Sequence, residues 1–265
     1  MSKLVSIIIN CYNGEKFLKK TLESIIDQEY ENWEVIFWDN QSTDNSRKIF
    51  NLFSDNRLKY FYAKEHTTLY KARNLACEYA SGEFIAFVDC DDWWEKNFLE
   101  IRKDFFLSKK YDFSYSNCMH YFQKTNKFEI STNQKLKSGQ IFNFLSKKYL
   151  VKISCFIIRK SVFEKESKFN ENYNTIGDFE YVMRISEKYL GLAIQKPIAT
   201  IRFHDKNFLD HNRKMFYQEY LDWFKNINFN NINYSRNKFL YIKELIRLKI
   251  LSIVPRQMIN KFKKK

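Results

Sequence analysis

Three carboxylates fall within four consecutive positions, Asp89-Cys90-Asp91-Asp92, at the end of the apolar run Phe84–Val88. Carboxylates held this close repel and raise one another's pKa. A hard divalent cation relieves that repulsion. Mg²⁺ characteristically takes one or two carboxylates and leaves its other positions to water and substrate phosphates. The bland alternative is a loop in which Asp92 caps a helix starting at Trp93-Trp94-Glu95. A second group is Ile176-Gly177-Asp178-Phe179-Glu180. Gly177 allows a sharp backbone bend. Asp178 then begins a helix carrying Val182, Ile185 and Tyr189, either as its N-cap or as a general base. A third is Arg202-Phe203-His204, directly after a strand-like stretch. There is no GxGxxG and no GxxxxGK[ST], which argues against a dinucleotide Rossmann site and a P-loop. A phosphate ligand would rest on a metal and a few side chains.

The elements that must carry these groups alternate regularly. Leu4–Ile9, Trp33–Trp38, Leu58–Tyr62 and Phe84–Val88 read as strands, the first nearly all apolar as in a strand buried on both faces. Between them, Leu18, Leu22, Ile25 and Ile26 make a helical stripe, Ser42-Thr43-Asp44 opens a helix running to about Phe53, and residues 68–80 form another. Strand–helix alternation predicts an α/β fold with a mostly parallel sheet, whose ligands bind beyond the carboxyl ends of the strands. Three such ends are polar here: Asn10-Cys11-Tyr12-Asn13, Asp39-Asn40 and Asp89–Asp92. Further on, Glu95–Ser108 and Phe179–Tyr189 read as helices. Asp112–Tyr121, Lys127–Ile130, Ile153–Ile158 and Ile198–Phe203 read as strands.

The chain of 265 residues carries a net charge of +14, which calls for an acidic partner: nucleic acid, an anionic membrane or a phosphorylated ligand. Its distribution narrows the choice. Residues 236–265 hold ten Lys and Arg against the single Glu244, so nine of the fourteen charges belong to this segment. The carboxylate-lined ends of the strands would repel a nucleic acid, which makes a nucleic-acid-binding protein the weakest reading. Five cysteines without a CxxC, and Met1-Ser2-Lys3 leading straight into a strand, point to a reducing, cytoplasmic setting. No apolar run approaches the length of a spanning helix.

Taken together, the motifs resemble the family-2 inverting glycosyltransferases of GT-A fold, of the bacterial surface-glycan type that builds lipopolysaccharide or capsule. Val5–Asn13 with Gly14-Glu15 is similar to that family's VSIIIPTYNGE, and Trp38–Asn45 to its VDDGSTDN. Lys71–Asn74 resembles xARN, Phe87–Asp92 resembles FLDSDD, Gly177-Asp178 takes the place of its ED or GD, and Arg202–His204 that of YRxH. These six motifs, in order, cover roughly residues 4–205. The resemblance implies a nucleotide site at Asn10, Cys11, Tyr12, Asn40, Arg73 and Asp89. It implies Mn²⁺ or Mg²⁺ on the donor diphosphate, held by Asp91 with Asp89 and His204, and Asp178 as the base. It also implies a nucleotide-sugar donor, UDP by family frequency, and a glycan or lipid-linked glycan acceptor. An inactive transferase-like scaffold is the alternative, opposed by the presence of all four of Asp89, Asp91, Asp178 and His204.

Three departures from the family pattern matter. Asn10-Cys11 stands for Pro-Thr. Asn40 stands for the second Asp, and since its amide both accepts and donates, uracil, guanine and thymine stay open. Gln41 stands for Gly, so that turn is expected to use a backbone that does not need positive φ. Trp93, Trp94 and Glu180 are candidates for the acceptor side, the alternative for the tryptophans being core.

Residues 1–210 are expected to form the catalytic domain and 211–265 a helical basic extension. In the latter, Phe239, Ile242, Ile246, Ile250 and Ile253 share a stripe with Lys238 and Lys249 at one edge and Lys243 and Arg247 at another. This helix either packs on the domain or lies on the anionic inner leaflet as a peripheral contact, with Lys261–Lys265 as a basic tail.

Overall fold

The computed structural model describes residues 2–205 and 211–254. In chain order the first half runs β1 (Val5–Cys11), α1 (Leu18–Ile26), β2 (Trp33–Asp39), α2 (Ser46–Phe50), β3 (Leu58–Tyr62), α3 (Leu69–Cys77) and β4 (Phe84–Phe87). The second half runs β5 (Trp93–Trp94), α4 (Lys103–Leu107), β6 (Phe113–Phe122), β7 (Lys127–Ile130), α5 (Phe142–Lys147), β8 (Phe156–Arg159), α6 (Lys160–Lys165), α7 (Gly177–Ser186) and β9 (Gly191–Phe203), then α8 (Arg213–Asn226) and α9 (Ile232–Ile253).

The strands form one mixed sheet in the order β3-β2-β1-β4-β8-β6-β9-β5, with β7 on β6. The first four are mutually parallel, as the alternation requires. β8 enters antiparallel to both β4 and β6, while β6 and β9 run parallel to each other. Every residue of β1 and β2 is buried. Alternate residues feed two cores: Ile7 and Ile9 with α1 on one face, Ile8 with α3 and α7 on the other. The expected α/β architecture is therefore present, with polar strand ends collected at one edge.

The second half departs from the expectation in register rather than in kind. Trp93-Trp94 does not start a helix. It is a short strand paired with Thr200 and Ala199, and helix appears only as a turn at Glu100–Arg102 leading into α4. The cause is local: the Trp94 ring stacks on Phe98 at 3.9 Å and its indole N–H donates to the Ser154 carbonyl at 2.7 Å, which fixes the segment flat against the sheet. Residues 153–155 form a 3₁₀ turn, so β8 begins only at Phe156, and β9 starts earlier than expected, at Gly191.

The C-terminal helices pack on the main body. Tyr220, Trp223, Tyr241 and Leu248 share a core with Phe142 and Leu145, and Tyr241 meets Ser146 through their hydroxyls at 2.7 Å. Among the described residues, no helix is long and apolar enough to cross a membrane.

Candidate active site

The carboxylates after β4 are held from all sides. The Thr21 hydroxyl of α1 donates to the Asp92 carbonyl at 2.7 Å. Asp92 is buried, and both its oxygens are used: Ser154 Oγ donates to one at 2.6 Å and the Arg202 N–H to the other at 2.9 Å. Asp89 takes a hydrogen bond from Arg73, and its own N–H donates to Ser154 Oγ at 3.1 Å. Asp91 faces His204, with Nε2 at 3.0 Å from Oδ2. Arg202 further clamps this loop by donating Nε–H to the Asp91 carbonyl at 2.9 Å.

One oxygen from each of Asp89, Asp91 and Asp92 lies within 4.8 Å of the others. Burial pushes the Asp89 carboxyl up, with Arg73 opposing and Asp91 and Asp178 adding to the rise. Burial, then Asp91 and Asp89, pushes Asp92 well up. This is the repulsion that a cation would relieve. Since Asp92 already spends both oxygens on the protein, the available ligands are Asp91 and Asp89, with His204 alongside.

Asp178 opens α7. Tyr70 donates its hydroxyl to Asp178 Oδ1 at 2.7 Å. Burial first, then the Asp178 charge, pushes the Tyr70 phenol well up, so it stays a protonated donor. A Cβ on Gly177 would fall on the Tyr70 ring. Glycine is therefore needed here for close approach, rather than for the bend expected from the sequence. Tyr70 and Arg73 stand three residues apart on α3, and so on one face of it. One helix thus positions both Asp178 and Asp89. Neither Tyr70 nor Ser154 was singled out in the sequence; the spacing of Tyr70 from Arg73 was its only signal.

The two carboxylate groups line one cavity of about 940 Å³, together with Tyr70, Arg73 and Lys152, and Lys243 of α9. This is large for a small-molecule site. α8 contributes to it directly: Phe216 and Tyr220 also line the wall. Glu219 accepts from the N–H groups of Asn174, Thr175 and Ile176 at 2.8, 2.8 and 3.2 Å, fixing the approach to Asp178. The Asn74 side chain pairs with both main-chain groups of Phe169, tying the same loop to α3.

The remaining predicted residues sort as follows. Asn10 is buried at the end of β1, and its side-chain amide has no hydrogen-bond partner. Cys11 lies buried beside it, and Tyr12 stands exposed with its ring 4.4 Å from His66. Asn40 spends its amide on Thr67, donating to its carbonyl at 2.9 Å and accepting from its N–H at 3.2 Å. Gln41 sits at φ +69°, which corrects the expectation of a turn without positive φ. Its side chain offsets the strain by donating to the Lys64 carbonyl at 2.9 Å.

The acceptor-side candidates do not line the cavity. Trp94 is core. Trp93 is buried with Lys20 at 3.5 Å and Arg202 at 4.7 Å from its ring, and Glu180 forms an ion pair with Arg184 one turn on. Their surroundings are structural ones. The chain signature around the first strand is also structural. Ser42 Oγ accepts from the Asn13 N–H, Ser46 Oγ from Gly14 and Asp44 from Glu15, each at 2.9 Å, while Glu15 accepts in return from Asn45 at 3.1 Å. The loops after β1 and β2 are interlocked.

Comparison with known proteins places the chain in a family and a fold. The family described as glycosyl transferase family 2 matches residues 6–166. A UDP-Glc:alpha-D-GlcNAc-diphosphoundecaprenol beta-1,3-glucosyltransferase of Escherichia coli, WfgD, is 41% identical over 114 residues, 43% of this chain and 45% of that one. The chain spans about half the length of the first curated relatives it matches. TarS of S. aureus in complex with UDP-GlcNAc superposes with a TM-score of 0.66 at 19% identity, over 84% of this chain and 67% of that one. Mannosyltransferase PcManGT from Pyrobaculum calidifontis, in complex with GDP-Man and Mn²⁺, superposes at 0.66 with 14% identity over 95% and 74%. At these identities the two structures establish the GT-A fold alone.

Proposed function

Because the chain belongs to glycosyl transferase family 2, we propose that it moves a sugar, with inversion, from a nucleoside-diphosphate donor to a hydroxyl of a glycan carried on a lipid diphosphate. The observation that carries this reading is α3: Tyr70 and Arg73 hold Asp178 and Asp89 on the wall of one cavity. Asp178 takes the proton of the acceptor hydroxyl as its oxygen attacks the anomeric carbon. The bond to the donor's diphosphate oxygen breaks on the opposite face, so the configuration inverts. Asp91 and Asp89, with His204, fit a Mn²⁺ or Mg²⁺ ion, since each aspartate keeps an oxygen outside the hydrogen bonds described. Bound there, the ion would neutralise charge developing on the leaving diphosphate.

Arg73, Asn40, Asn10, Cys11 and Tyr12 lie on the nucleotide side. The unpartnered amide of Asn10 supports this, because a buried polar group without a partner is costly unless a ligand supplies one. A UDP-sugar is the donor favoured by the printed names of WfgD and the TarS complex. The lipid-linked acceptor is favoured by the WfgD name, and we place the work at the cytoplasmic face of a bacterial membrane. We divide the chain accordingly into a transferase body, 1–210, and a helical extension, 211–265, that completes the cavity wall.

Asp178→Asn tests the reading. Transfer should fall by about 10²–10⁴-fold, the usual worth of a general base. Thermal stabilisation by UDP with Mn²⁺ should match that of the unaltered protein. Near-normal turnover in the variant would remove Asp178 from the base role.

A further inference from the structure

Helix α9 has two faces, and only one is used by the rest of the chain. Asn237, Tyr241 and Leu248 are buried against the body, with Tyr234 and Leu245 packed beside them. On the opposite side Ile232, Phe239, Ile246, Ile250 and Ile253 are between 52% and 75% exposed. Helical geometry sets these five on one line along 22 residues, about 33 Å of helix. Cations flank that line on both edges: Arg236, Lys243 and Arg247 on one, Lys238 and Lys249 on the other, all exposed. Among the described residues only Arg247 of these has a carboxylate partner, Glu244, the sole acid of the helix.

We infer that this outward face of α9 seats on an anionic lipid bilayer, with the apolar line in the acyl boundary and the flanking cations among the headgroup phosphates. Bulky apolar side chains lined by charge of one sign are the pattern of a helix lying in the interface plane. A second copy of the chain fits poorly, since apposing two such faces brings the two sets of cations together. The seat also places the cavity. Leu240, Lys243, Glu244 and Arg247 line it from the same helix, so the wall it shares with α9 lies next to the headgroups, on the side where a lipid-linked hydroxyl would arrive. The inference extends the proposed function by naming the surface that meets the acceptor's membrane.

The test is flotation of the full chain with phosphatidylcholine vesicles, with and without phosphatidylglycerol. Neither donor nor acceptor is present, so failure here leaves the chemistry standing. Because the inner face of α9 is core, surface substitution is used rather than deletion. The basic stretch Lys261–Lys265, which lies outside the described residues, stays intact throughout. The unaltered chain should float only with anionic vesicles. K238S/K249S, which removes no cavity-lining and no buried side chain, should lower partitioning roughly 25-fold, at about fivefold per cation. F239S/I246S/I250S should abolish flotation while keeping its thermal midpoint. Three results would overturn the inference: no binding by the unaltered chain, equal flotation of the triple variant, or conversion of an oligomer to a monomer by that variant.

Discussion

At the scale of single residues, the site depends on side chains that carry out no chemical step in the proposed reaction. The Tyr70 hydroxyl donates to Asp178 and so orients its carboxylate. In Tyr70→Phe the base should lose that hydrogen bond. We expect kcat to fall about tenfold, as for one lost charged hydrogen bond, with donor KM unchanged. An unchanged kcat would separate Tyr70 from the base. The residues legible in the sequence were those with short-range signatures: Asp89, Asp91 and Asp92 in one run, Asp178 after its glycine, His204 after its arginine. Ser154 was not legible. It reaches Asp92 across 62 positions, and a lone serine before a strand carries no local signal.

At the scale of elements, the helical extension is tied to the candidate catalytic loop. Glu219 on α8 gathers the N–H groups of residues 174–176 and the Thr175 hydroxyl at 2.6 Å, immediately before Gly177-Asp178. Glu219→Gln keeps an acceptor but removes the charge that strengthens these bonds. It should cost about 1–3 kcal/mol of stability, read by urea denaturation, and lower kcat with UDP binding intact. Full activity would make α8 a mere cover. Elements with strong periodicity, β1 to β4 and α3, stood close to where the sequence put them. β5 did not. A two-residue strand has no period of its own, and its partner Thr200 lies more than a hundred positions away. Gln41 misled for a related reason: its left-handed backbone is held by Lys64, a neighbour in space.

At the scale of the whole molecule, the two ends of the sheet use carboxylates oppositely. At the carboxyl end of β4 they line the cavity. At the other end, Glu34 of β2 is buried and fully paired, accepting from Ser6 at 2.6 Å, Lys59 at 2.6 Å and the Ser81 N–H at 2.6 Å. Burial alone would raise its pKa, but Lys59, Ser6 and Ser81 outweigh it and hold it below the ordinary 4.5. A lowered folded pKa means its stabilisation is full above about 4.5 and is lost as pH falls through the folded value. Glu34→Gln should be less stable than the unaltered chain at neutral pH, and the difference should shrink below the glutamate range; a difference independent of pH would refute this. The interlocked loops after β1 and β2 carry a different consequence. The amides of Asn13, Gly14, Glu15, Asn45 and Ser46 sit in the loops after β1 and β2 or at the start of α2, and each is donated across or within the joint. Ser46 donates to Asp44 within its own loop, whereas the other four bridge the two loops. In deuterium exchange those four should therefore be protected together and fail together, as one opening event of the joint.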